Sequence, residues 1–350
     1  MSITIHHALT LAADFLPVDL MNGPLKKGLR GVTPVFYDCC SSYYLEWHLA
    51  DPVKCDLLCS VVHGNGSRLL KKINDRSLAA FDSRWKKLTA FLAAWDKINT
   101  ELDGQVPHIW IASDLDWTVQ RYDPPNIHYC IDKRFLERKA LPDYRNTLSP
   151  RLFNRTVKIL TQQCCDDEND AAGVAAMMRR CFRALGSEGE VVHLSFMHTR
   201  RPPVAKLNVT LPADKVPELL KTVRWGGDIS GIAGLCREFA PDEKRIKCNI
   251  TVAANICNRF ELELEYNTPL DSDARRKRMV GSLCDRGILN DSAARQLMQW
   301  PGRTEAAPRR RNGTPIPFER WLDMKLCVYE NGGLYAKAYL GFALLPAINW

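Results

Sequence analysis

Five stretches of this chain alternate apolar and polar side chains and then fold back on themselves, with helical segments between them. That order leaves few architectures open. The last stretch is the clearest. Between Trp321 and Phe342, two strands flank Glu330-Asn331-Gly332-Gly333, residues that tolerate the positive φ of a tight turn. Successive side chains of a strand point to opposite faces. Leu322, Met324, Leu326 and Val328 therefore share one face, and Asp323, Lys325, Cys327 and Tyr329 the other. In the returning strand Ala336, Ala338, Leu340 and Phe342 oppose Tyr335, Lys337, Tyr339 and Gly341. A solvated face accounts for the lysines but not for the tyrosines beside them.

The pattern occurs four more times upstream, with strands expected at 43–49 and 55–62, 108–115 and 126–132, 191–199 and 205–211, and 245–254 and 259–266. A helix is expected on the stripe Leu78, Phe81, Trp85, Leu88, Leu92, Trp95 and Ile98. Others are expected at 149–163, 171–185, 214–223, 230–239, 272–285 and 291–300. Residues 1–42 read as an irregular N-terminal segment and 301–317 as a Pro/Arg-rich surface loop, within one domain spanning 1–350. Hairpins separated by helices indicate an α+β fold. Ten antiparallel strands can also close into a barrel, which removes their exposed edges. The helices then need an apolar surface to cover. If they pack outside, the polar faces line the interior.

On that assignment the first hairpin contributes Tyr44, Glu46, His48, Asp56 and Ser60 to the interior, and the second Trp110, Asp114, His128 and Asp132. The third contributes Lys206, Asn208 and Thr210, and the fourth Arg245, Lys247, Asn249, Thr251, Glu261, Glu263 and Glu265. The fifth adds Lys325, Tyr335, Lys337 and Tyr339. Unpaired buried charge is costly, so such a lumen needs mixed signs or a charged ligand. Cations and tyrosines facing carboxylates suit a diphosphate at one level and a reacting nucleophile at another.

The balance of 48 Lys+Arg against 40 Asp+Glu gives a net charge of +8, which favours an anionic partner without naming it. No apolar run reaches the roughly 18 residues of a membrane span, and the N-terminus lacks the pattern of a signal peptide. A cytoplasmic protein without a membrane partner is expected. The 13 cysteines include no CxxC pair and read as reduced, mostly structural thiols. His6-His7, His193 and His198 lack partners at ligand spacing and read as packed or solvated.

The element order, five α-β-β-α units over about residues 43 to 342, resembles the ABBA aromatic prenyltransferases, whose PT-barrel is ringed by helices. Arg245-x-Lys247-x-Asn249 is similar to the R-x-K-x-Y strand signature of these enzymes, and Lys337-x-Tyr339 to their K-x-Y one. Asn249 stands where the signature prefers tyrosine. The resemblance implies transfer of an isoprenyl group from dimethylallyl, geranyl or farnesyl diphosphate to an aromatic, guanidine or peptide acceptor, as in RiPP or secondary metabolism. It assigns Lys206, Asn208, Arg245, Lys247, Asn249, Lys325 and Lys337 to the diphosphate, and Tyr335 and Tyr339 to shielding the carbocation. Glu46 becomes the base, and Trp110 falls on the acceptor side; Glu261 and Glu263 stand where the resemblance expects a neutral ligand, and as extra carboxylates on the acceptor side they suit a cationic acceptor. Lysines can replace a metal clamp, so no cofactor is required and Mg²⁺ is optional; no metal ligand is assigned.

Asp166-Asp167-Glu168-Asn169-Asp170 matches the DDxxD motif of the all-α isoprenoid synthases, but the strand content argues against that fold. A capping loop ahead of a helix is the simpler reading. No P-loop, G-x-G-x-x-G, H-E-x-x-H or G-x-S-x-G occurs. The rival from another class is a basic, non-catalytic module that binds RNA or a precursor peptide, since strand aromatics beside lysines also stack on single strands. Enclosure of those aromatics in a barrel argues against nucleic acid.

Overall fold

The β-branched, aromatic and alternating stretches form strands close to where the periodicity puts them. They are β1 (Tyr43–His48), β2 (Cys55–Val62), β3 (His108–Ser113), β4 (Asn126–Cys130), β5 (Glu190–Met197), β6 (Val204–Pro212), β7 (Arg245–Val252), β8 (Ile256–Glu265), β9 (Gly302–Ala306), β10 (Ile316–Tyr329) and β11 (Leu334–Leu344). The described residues of this computed structural model are 5–17, 20, 39–51, 54–78, 83–97, 106–113, 125–131, 148–197, 204–241, 243–265, 272–306 and 316–344. Asp114, Asp132 and His198 lie outside them.

From β1 to β8 each strand pairs antiparallel with the next. β10 then pairs with both β8 and β11, and β11 pairs back onto β1, so ten strands close a barrel. The long β10 serves two neighbours. Its first part, Ile316 to Arg320, carries β9, and its second part carries β8. Gly332 takes φ +82 in the turn between β10 and β11, a conformation that favours glycine.

The helices are α1 (Ile5–Ala12), α2 (Gly66–Asp75), α3 (Ser83–Trp95), α4 (Pro150–Cys164), α5 (Glu168–Ala184), α6 (Val216–Val223), α7 (Ile229–Phe239), α8 (Ser272–Asp285) and α9 (Asp291–Gln299). They cover the outside. Leu45, Leu207, Ile250, Leu262, Leu326 and Leu340 from the strands share one buried cluster with Trp85, Leu92, Phe153, Met178, Leu219 and Leu283 from the helices. The hydrophobic core is thus the layer between sheet and helices, and the alternate side chains are left to the lumen. Ser149, Asp167, Asp228 and Asn290 cap four of the helices with their side chains. No described helix is long and apolar enough to cross a membrane.

Three expectations are corrected. The segment 1–42 carries α1, whose Ala8 and Ala12 are buried in the core. Just after it, Phe15 packs its ring 3.3 Å from the Arg320 guanidinium. The 301–317 loop is a strand at each end, because β9 adds to the free edge of β10. Before α3 the chain also forms α2, where Leu69 and Ile73, one turn apart, bury a narrow stripe. Leu207, on the outer face of β6, is fully buried under the helices. Leu207→Ala should therefore cost about 2–5 kcal/mol in chemical denaturation.

Candidate functional site

The cross-strand register brings the polar side chains into rows around the lumen. Along one row lie His48, Lys337, Lys325, Glu263 and Lys247, each directly opposite the next in neighbouring strands. Another runs from Asn208 through Asn249 and Glu261 to Cys327. Residues distant in sequence therefore meet at one level.

Each of the lumen lysines Lys206, Lys247, Lys325 and Lys337 has a carboxylate partner. Lys206 Nζ lies 2.7 Å from Glu261, and Lys325 lies 2.8 Å from Glu263 and 3.4 Å from Glu261. Lys247 pairs with Glu263 at 2.7 Å and Glu265 at 3.2 Å, and Lys337 pairs with Glu46. Arg259 adds a further cation on Glu261 at 2.7 Å. Burial pushes the Glu261 and Glu263 carboxyls up, but the lysines around them outweigh it and hold both well below the usual range. Glu46 is lowered in the same way against burial, by Lys337 and then Lys325. Burial raises Tyr339 well above an ordinary phenol, and Glu46 adds to that. Lys206 goes the other way, since burial pulls its amine down to about 8 against the attraction of Glu261.

A chain of neutral hydrogen bonds feeds this network. Ser195 Oγ donates to Asn208 Oδ1 at 2.8 Å, the Asn208 amide donates to Asn249, and the Asn249 amide donates to Glu261 and Glu263. Because the Ser195 hydroxyl has spent its proton, His128 Nδ1, 2.7 Å away, must carry one to complete the chain. That tautomer leaves His128 Nε2 bare. Burial, with Lys325 and Lys206 nearby, brings the His128 pKa to about 3, so the ring is neutral at neutral pH.

Aromatic rings line the lumen around Tyr44. Its ring centroid lies 5.2 Å from that of Trp110, 5.5 Å from Trp321 and 5.9 Å from Tyr339. Trp321 Nε1 donates to the Tyr44 hydroxyl, which donates to Asp323. Trp321 lies so close to Gly341 that a Cβ there would sit 2.3 Å from the indole. Lys325 Nζ stands 5.0 Å from the Tyr339 ring centroid. A cavity of about 100 Å³ opens beside these rings, bordered by Tyr44, Trp110, His128, Lys247, Lys325 and Tyr339. It is smaller than the roughly 300–1,000 Å³ of common ligand pockets.

The geometry gathers Lys206, Lys247, Asn249, Lys325, Glu261 and Glu263 into one bonded network. It couples Glu261 and Glu263 to the lysines, whereas the sequence reading sets them on the acceptor side. Arg245 sits apart from these lysines, half-buried, and binds the Glu188 and Thr210 carbonyls and Glu190. The Tyr335 hydroxyl meets His48 Nδ1 at 3.2 Å, while His48 Nε2 binds Asp56 at 2.9 Å. Asp167 caps α5, accepting from the Asn169 and Asp170 amides, and Asp166 pairs with Lys87 at 2.5 Å. Trp321 and Ser195 escaped the sequence reading, which set His128 inward without a partner. A glycine opposite a tryptophan on an inward face was the available signal for the first.

No model of a known protein family matches the chain, and no curated protein sequence matches it. Among solved structures, the crystal structure of AnaPT from Neosartorya fischeri, an ABBA prenyltransferase, matches with a TM-score of 0.55. The match covers 97% of this chain and 92% of that one, at 14% identity. The fold is the PT-barrel. At that identity the likeness fixes the barrel and its helix ring, and the chemistry of the lumen rests on this chain's own residues.

Two predictions follow from the charges in this PT-barrel. Glu261→Gln leaves three cations short of a counter-ion in a buried site, and should cost about 3–5 kcal/mol in denaturant melts. Glu261 and Glu263, with lowered pKa values, stabilise fully above pH 4.5 and lose that contribution as pH falls through their folded values. Lys206, also lowered, stabilises fully above 10.5 and loses that contribution as pH falls through about 8. Side-chain NMR of the Lys206 amine should therefore give a midpoint near 8.

Proposed function

We propose that this protein is a prenyltransferase, moving an isoprenyl group from an allylic diphosphate to an acceptor inside the barrel. The observation that carries the reading is the lumen row of Lys337, Lys325 and Lys247, with Lys325 over the Tyr339 ring and Lys337 over the Tyr335 ring. The donor diphosphate would take Lys325, Lys337, Lys247 and Lys206, with Asn208 and Asn249 as neutral donors. Ionisation of the allylic C–O bond leaves its electron pair on diphosphate, and preorganised cations lower that barrier. Tyr339, Tyr335 and Tyr44 would face the allyl cation without reacting with it. The acceptor forms the new bond and loses its proton to Glu46.

The pairing of Lys337 with Glu46 couples the two ends of the reaction. A diphosphate that claims Lys337 leaves Glu46 without its main counter-ion, so burial raises the basicity of Glu46 when a donor is bound. A carboxylate suffices as base, because the adduct of a carbocation with a neutral acceptor is strongly acidic. The Tyr44 and Trp110 rings favour an aromatic acceptor. Lysines would hold the diphosphate without Mg²⁺.

A second reading, a binding barrel that does no chemistry, is favoured by one observation: the lumen lysines are already neutralised by carboxylates. Mass spectrometry after incubation with dimethylallyl, geranyl or farnesyl diphosphate and aromatic, arginine or peptide acceptors separates the two. Prenylated product supports the enzyme, independent of added Mg²⁺. Lys337→Ala should lower turnover about 10²–10³-fold, and Glu46→Gln about 10²–10⁴-fold. Full activity in Lys337→Ala would contradict the inward role of that lysine. Diphosphate affinity, measured by calorimetry, should fall as pH rises through about 8, where Lys206 loses its charge.

A further inference from the structure

The opposite wall of the barrel, built by β3, β4 and β5, carries a side-chain cluster that the proposed reaction leaves unused. His108 lies directly across from Cys130, and Cys130 directly across from His193, so the three form one row over three neighbouring strands. All three are buried, and each offers a ligand atom within 4.8 Å of the other two. The ring centroids of His108 and His193 are 6.0 Å apart, leaving Cys130 between them. A register irregularity between Val191 and His193 interrupts the ladder there. Such bulges re-aim a side chain and are concentrated beside active sites.

We propose that His108, Cys130 and His193 form a site for a zinc-class divalent cation. Two imidazoles and a thiolate suit Zn²⁺ rather than Mg²⁺ or Ca²⁺, which prefer all-oxygen shells. Three protein ligands leave the fourth tetrahedral position open, as in catalytic rather than structural zinc sites. His193 borders the lumen cavity, so the site adjoins the space where a substrate would lie. Binding takes the thiol proton from Cys130 and releases it to solvent, leaving a thiolate–metal bond and a net charge of +1 at the site. The neighbouring Lys247 disfavours positive charge here, and its pairs with Glu263 and Glu265 offset part of that. Among the described residues Glu46, His48 and Asp56 form the other buried cluster of ligand type, and there Asp56 holds His48 and Lys337 holds Glu46.

The site stands whether or not the barrel transfers prenyl groups, and its test does not use activity. Purified protein is stripped with chelator and titrated with Co²⁺. One equivalent should bind per chain, with a thiolate-to-cobalt charge-transfer band and the intense visible bands of a four-coordinate ion, and Zn²⁺ should displace it. Cys130→Ser should abolish the charge-transfer band, and His193→Gln should weaken Zn²⁺ binding at least about tenfold. If either variant fails to fold, X-ray absorption on the zinc-loaded wild type decides. One sulfur near 2.3 Å with two nitrogens near 2.0–2.1 Å supports the site. A shell of nitrogen and oxygen alone, a charge-transfer band that survives Cys130→Ser, or no stoichiometric binding at all would overturn it.

Discussion

The salt bridges that cross the lumen follow from where the helices lie. Because the helices cover the outside of the sheet, the apolar half of each strand is used there, and the lysines and glutamates are driven inward. Closure of the sheet then denies them water, so each charge must find its partner on an adjacent strand. Lys325 between Glu261 and Glu263, and Lys337 against Glu46, are the result. The asparagine chain extends the arrangement, since Asn249 uses its amide protons on both glutamates and accepts from Asn208. Satisfied networks of this kind hold side chains in a single arrangement.

At rest the glutamates occupy the cations. On the reading proposed above, an incoming anion exchanges for them, and Glu46, freed from Lys337, takes the acceptor proton. The lumen also has two chemical walls. Lysines and glutamates line β6, β7, β8, β10 and β11, whereas neutral imidazoles and a thiol line β3, β4 and β5. Burial, reinforced by Lys247, lowers the His108 pKa to about 4 and takes His193 well below its ordinary value.

Much of this was legible in the alternation of the strands. Glu46, Lys206, Asn208, Lys247, Asn249, Lys325 and Tyr339 were assigned inward from period two alone, and all sit on the lumen face. What failed were short or edge elements. In α2 the apolar stripe is only Leu69 and Ile73, too narrow to stand out among its lysines and arginines. β9, GRTEA, has no apolar alternation and exists because β10 outruns its pairing with β8. Arg245 fitted a short signature, but it lies near a strand end, where backbone carbonyls of Glu188 and Thr210 are the nearer partners.

By itself the sequence determined the ten hairpin strands, the face each presents to the helices, and the sign of the charges on the other face, because these depend on local periodicity and composition. Only the tertiary structure decided which charges neutralise each other and which ring lies over which gap. It alone set His108, Cys130 and His193 in one row. Those outcomes depend on register between strands separated by tens to hundreds of residues. A shift of one residue in any pairing would turn every side chain of that strand to the other side of the wall.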